Sequence, residues 1–131
     1  MSDFLAGIAA TADELAGSGD DLAAIGKRLA DAHATLKQTT DWLMAGLADP
    51  NNALAVATPY LRMCGIVTGG WLLAGSALAA NRALADGNGD DDFLRQKIVT
   101  ARFYAEQLLP QAAALAPPVQ AGPADLLAAV F

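Results

Sequence analysis

Cysteine and histidine each occur once in the 131-residue chain, as Cys64 and His33, and glutamate only twice, as Glu14 and Glu106. A lone cysteine excludes an internal disulfide framework. A di-metal carboxylate centre in a helical bundle needs several inward glutamates and paired histidines, so the inventory excludes that too. Basic residues are scarce: 8 face 14 acidic ones, for a formal charge of −6. Electrostatic binding of nucleic acid requires a basic stripe that is missing here. Met1-Ser2-Asp3-Phe4 offers neither a basic n-region nor a long apolar h-region. No secretory signal is therefore expected, and the expected location is cytoplasmic. Aromatics amount to 6% and β-branched residues are few, which argues against sheet.

What is abundant is alanine, with 31 copies, and leucine, with 19. Both are strong helix formers, and the length suits one domain over residues 1–131. Phe4, Leu5, Ile8, Ala12 and Leu15 share one face of a first helix, with Ser2 or Asp3 expected as its cap and Gly17-Ser18-Gly19 as its break. Leu22, Ile25, Leu29, Ala32, Leu36, Thr39, Leu43 and Leu47 step by alternating threes and fours, predicting a bundle seam over about 19–48. Lys27 with Asp31, and Lys37 with Asp41, suit its solvated side.

A third helix is expected to start after Pro50, or to restart at Pro59, and to end near Ala85, with a kink at Pro59. Asp86-Gly87-Asn88-Gly89 reads as a loop. Leu94, Ile98, Ala101, Ala105, Leu108 and Ala112 predict a fourth helix over about 91–115, bent by Pro110 and ended by Pro117-Pro118. One or two terminal turns are expected between Pro123 and Val130. The fold class is thus all-α: an antiparallel up-down bundle of about four helices plus a short terminal helix.

Chemistry is hard to place in this frame. The uncharged run from Met63 to Asn81 has the length of a membrane span and contains Gly65-Ile66-Val67-Thr68-Gly69. Trp71 sits mid-run, Thr68 and Ser76 dilute it, and the other helices need a partner, so a central bundle helix is expected and no membrane span. Asp86, Asn88 and Asp90 copy the start of a calcium loop, but Asp91 and Lys97 stand where its glycine and bidentate glutamate belong. His33 lacks an orienting carboxylate on its own face, and Cys64 lies in an apolar stretch without a positive neighbour on its side of the helix. Catalytic, cofactor-binding and metal-ligating residues are expected to be absent.

Two stretches carry a resemblance: Thr58-Pro59-Tyr60-Leu61-Arg62-Met63-Cys64-Gly65 leading into Gly69-Gly70-Trp71-Leu72-Leu73-Ala74, and Lys97-Ile98-Val99-Thr100-Ala101-Arg102-Phe103-Tyr104-Ala105-Glu106-Gln107-Leu108-Leu109-Pro110. With the Leu22–Leu47 helix before them and Ala121-Gly122-Pro123-Ala124-Asp125-Leu126-Leu127 and Phe131 after, they resemble the C-terminal helical module of one subgroup of acyl-CoA dehydrogenases. The resemblance implies a parent flavoprotein that oxidises an acyl-CoA thioester to the 2,3-enoyl-CoA, with FAD taking the hydride, a glutamate taking the α-proton, and an electron-transfer flavoprotein reoxidising the flavin. Those motifs belong to upstream domains, so this chain alone implies no enzyme and FAD belongs to the parent. The implied partners are the parent's catalytic domains and a second subunit. Gly65, Gly69 and Trp71 are expected at tight internal helix contacts. Tyr60, Arg62, Arg102 and Tyr104 are the candidate interface residues, because tyrosine and arginine often anchor interfaces. The alternative is a free-standing small helical-bundle binding protein, a homodimer among its forms.

Overall fold

The computed structural model describes residues 1–129; Val130 and Phe131, the end of the expected terminal turn, lie outside the described residues. Four long helices come first: α1 (Ser2–Ala16), α2 (Asp20–Ala45), α3 (Pro50–Ala85) and α4 (Asp91–Gln107). A 3₁₀ stretch (Leu109–Leu115) and two short helices, α5 (Ala116–Gln120) and α6 (Ala124–Ala128), follow. The loops at 17–19, 46–49 and 86–90 are too short to cross the bundle, so sequential helices run antiparallel. No strand occurs among the described residues.

α1 buries Ile8, Ala12 and Leu15 as the spacing predicts, but Ser2 and Asp3 lie inside its first turn and Met1 holds the cap position without a side-chain bond. Gly19, at φ 100, makes the turn into α2, a backbone region that glycine enters without a Cβ clash. α2 buries Leu22, Ile25, Leu29, Ala32, Leu36 and Thr39 in the expected order. The seam then fades, with Leu43 half-buried and Leu47 42% exposed. The helix has ended by then, because Gly46 turns the chain and Asn52 Nδ2 donates to the Gly46 carbonyl at 2.9 Å.

α3 begins at Pro50. Asp49 accepts from the Asn51 N–H at 2.9 Å, and proline at the first helical position has no N–H to leave orphaned. The helix continues through Pro59 without restarting. Val56, Met63, Val67, Gly70, Ala74 and Ala77 form its buried face. α3 is long and apolar enough to cross a membrane by length and composition, yet that face shares one core with the other helices.

Asp90 caps α4, accepting from Asp92 N–H at 3.0 Å and Phe93 N–H at 3.1 Å. The α-helix stops at Gln107 instead of bending onward, since Pro110 cannot donate to the carbonyl one turn back and its ring clashes there. The tighter 3₁₀ winding rotates the chain, so Leu109 enters the core at 1% exposure and Leu108, the expected core residue, stays half-buried. Pro117 and Pro118 open α5 instead of ending a helix, and they deliver the fully buried Val119.

Candidate functional site

The four candidate interface residues stand on α3 and α4, and three of them are bonded to a neighbouring helix, Tyr60 and Tyr104 half-buried and Arg102 at the exposed surface. Tyr60 is half-buried with its hydroxyl 2.8 Å from Thr40 Oγ1. Thr40 donates its own proton to the Leu36 carbonyl at 2.7 Å, so Tyr60 is the donor of the pair, and the phenol pins α3 to α2. Burial raises the Tyr60 pKa. One turn on, burial likewise pushes the Cys64 thiol up, which favours its protonated form.

Arg102 joins α4 to α2: Nη1 lies 2.7 Å from Asp21 Oδ1, and Nε lies 3.4 Å from Glu106 on the next turn. Tyr104 joins α4 to α3 by donating to the Ile66 carbonyl at 3.0 Å, with its ring lying on Gly69. Arg62 differs from these three. It is exposed, makes none of the salt bridges found among the described residues, and edges a shallow 260 Å³ depression with Ile66, Gln111 and Leu115.

The glycines separate in the same way. A Cβ on Gly69 would lie 2.5 Å from the Tyr104 hydroxyl oxygen, so the expected tight contact is there. A Cβ on Gly70 would lie 2.5 Å from Leu109 Cδ2, a contact the sequence reading missed. Gly65 is the correction: a Cβ there would meet nothing within 4 Å, because the residue faces outward. Trp71 is where it was expected, with its ring edge over Gly7, edge-on to Phe4 at 5.6 Å, and Nε1 donating to Thr11 Oγ1 at 2.8 Å.

Gly65 belongs to a second apolar face of α3. Leu54, Leu61 and Leu72 are 75%, 72% and 65% exposed, and they fall with Gly65 and Gly75 on one side, opposite the buried face. The signal for this face was the uncharged run itself, which is apolar around its whole circumference.

His33 is half-buried at a 380 Å³ depression between α1 and α2, shared with Leu5, Lys37 and Asp41. Lys37 and Asp41 are paired with each other at 2.6 Å. A flavin dinucleotide sits at the large end of the ~300–1,000 Å³ range of small-molecule sites. This open depression, without a glycine-rich phosphate cradle, does not fit it. The arrangement can pack, pin and present surface; among the described residues no nucleophile is paired with a base.

A profile of the family described as "Acetyl-CoA dehydrogenase C-terminal like" matches residues 4–129. The chain is also 44% identical over 108 residues to a 3-methylmercaptopropionyl-CoA dehydrogenase of Ruegeria pomeroyi, covering 82% of this chain and 18% of that protein. The chain therefore spans about a fifth of the length of this curated relative.

Proposed function

The chain belongs to the acetyl-CoA dehydrogenase C-terminal-like family, and from that premise we propose that it is the single, non-catalytic C-terminal module of a larger acyl-CoA dehydrogenase-like flavoprotein. In this reading FAD and the acyl-CoA thioester are held by parts of the parent outside residues 1–131, and no step of the oxidation passes through these side chains. The module supports the catalytic body and contributes to subunit association. The observation that carries the reading is the family match over residues 4–129, together with the helix-joining bonds of Tyr60, Arg102 and Tyr104. Arg62 is the candidate residue placed to reach a neighbour directly. Tyr60 and Tyr104 from half-buried positions, and Arg102 at the surface, join α2, α3 and α4.

The test is to capture the native protein with an antibody to this segment and measure intact mass and visible absorbance. A much heavier polypeptide with a flavin spectrum is expected. A product of 13.4 kDa without flavin would overturn the module reading in favour of a free-standing binding protein.

A further inference from the structure

The two ends of the bundle differ in chemistry. One end gathers the α1–α2 turn and the α3–α4 loop: Arg82 pairs with Glu14 there, and Asp21, Asn81, Leu84 and Arg95 line one depression. Asp20, Asp21, Asp86, Asp90, Asp91 and Asp92 stand in or beside those two connections, all of them exposed. Pressing this end against another protein would strip water from a crowd of carboxylates, so it favours solvent.

The opposite end is the α2–α3 hairpin. α1 has 15 residues and α2 has 26, and a short turn joins them, so α2 outruns α1. Ser2 and Leu5 share a depression with His33, Lys37 and Asp41, which sets the start of α1 level with that part of α2. Tyr60 on Thr40 fixes the matching level on α3, so the hairpin from Trp42 to Thr58 projects past α1. In that stretch Trp42, Met44, Leu47 and Leu54 are 38%, 60%, 42% and 75% exposed. Its sole ionisable side chain is Asp49, whose carboxylate is already spent on capping α3. Tryptophan and methionine without charge are the composition of an interface core. We propose that this hairpin end, through Trp42, Met44, Leu47 and Leu54, docks on an apolar surface of the parent's catalytic body, with the acidic end pointing away from it.

Chain continuity selects that occupant. The proposal rests on the module reading, in which the catalytic body comes before residue 1. The match covers only 18% of the Ruegeria pomeroyi relative, so the greater part of such a parent lies outside this bundle. The preceding chain then enters at Met1, beside the projecting hairpin and at the end of α1 remote from the acidic cluster. A body tethered at that point meets the hairpin at high effective concentration, which lets a small apolar patch hold it. A second copy or a separate protein has no such tether.

The test is hydroxyl-radical footprinting of the antibody-captured native protein beside the 131-residue chain alone. In the heavier native polypeptide, oxidation of Trp42 and Met44 is expected to fall to less than half its rate in the 131-residue chain. Phe93, 59% exposed next to the acidic end, is expected to keep its rate. Met44→Asp with Leu47→Asp in the native polypeptide is expected to return Trp42 to the faster rate, with helical circular dichroism unchanged. Undiminished oxidation of Trp42 and Met44 in a heavy, flavin-bearing polypeptide overturns the docking and leaves the module reading standing. Protection that grows with concentration in the 131-residue chain alone also overturns it, and assigns this end to a second copy. A 13.4 kDa product without flavin overturns the module reading itself and the docking with it, so the two failures are distinguishable.

Discussion

The Tyr104 hydroxyl occupies the place where a side chain on Gly69 would begin, 2.5 Å from the Cβ position. The ring is held there by its bond to the Ile66 carbonyl at 3.0 Å, so it yields only by giving up that bond. Gly69→Ala is expected to destabilise the fold by about 1–3 kcal/mol, the usual cost of overpacking. Gly65→Ala, on the open side of the same helix, is expected to stabilise it by about 0.4–1 kcal/mol through the unfolded chain. Urea unfolding of the two variants gives midpoints that shift in opposite directions; equal shifts would contradict the placement of α4 on α3.

Gly26 presents a harder obstacle, because an added Cβ would lie 2.9 Å from the Ala12 carbonyl oxygen and 2.9 Å from Leu15 Cβ. Those atoms belong to the body of α1 and cannot rotate away as a side-chain tip can. Gly26→Ala is expected to fall at the upper end of the ~1–3 kcal/mol range and to separate α1 from α2. Hydrogen exchange along α1 is the measurement, and unchanged protection there would refute the crossing.

Burial raises the pKa values of Tyr60, Cys64 and Tyr104, so the native state holds these protons more tightly than the unfolded chain. The associated stability is present below the unfolded values, about 8.5 for cysteine and about 10 for tyrosine, and is lost as pH rises through the higher folded values. The urea midpoint is expected to decline as pH climbs past ~9. Replacing Cys64 with Ala and Tyr104 with Phe is expected to flatten that decline. A steeper fall in the double variant would rule out these groups as its cause.

Leu109 and Arg102 show which kind of contact holds the C-terminal half. Arg102→Ala is expected to cost about 0.2–1 kcal/mol, since its partner Asp21 is 75% exposed and water screens the pair. Leu109→Ala, which empties a site at 1% exposure on Gly70, is expected to cost about 2–5 kcal/mol. Leu108→Ala, at a half-buried position, is expected to cost less than half as much. Thermal unfolding of the three variants should show the largest loss for Leu109→Ala, a smaller one for Leu108→Ala and the smallest for Arg102→Ala.

The all-α class, the order of four helices and the α2 seam were legible because alanine, leucine and a three-and-four spacing leave little else for the chain to do. Lys37 with Asp41 was legible as a pair because one helical turn brings them together. The switch to 3₁₀ winding at Pro110 was half legible: proline announces a break, but whether Leu108 or Leu109 then turns inward depends on the space beside Gly70.

The faces of α3 depended on the partners. Periodicity groups Leu61 with Gly65 and Leu72, and Met63 with Val67 and Gly70, but both groups are apolar and uncharged. Local spacing says which residues travel together around a helix. Which group faces inward is set by where Trp71 meets Gly7, Tyr60 meets Thr40 and Tyr104 meets Gly69, each between residues far apart in the chain. The sequence alone determined an alanine-rich helical bundle with a single cysteine and a single histidine. Only the tertiary structure decided that Gly69 is packed and Gly65 open, and that Tyr60, Arg102 and Tyr104 are each bonded to a neighbouring helix, because such contacts belong to the assembly of helices and not to any one of them.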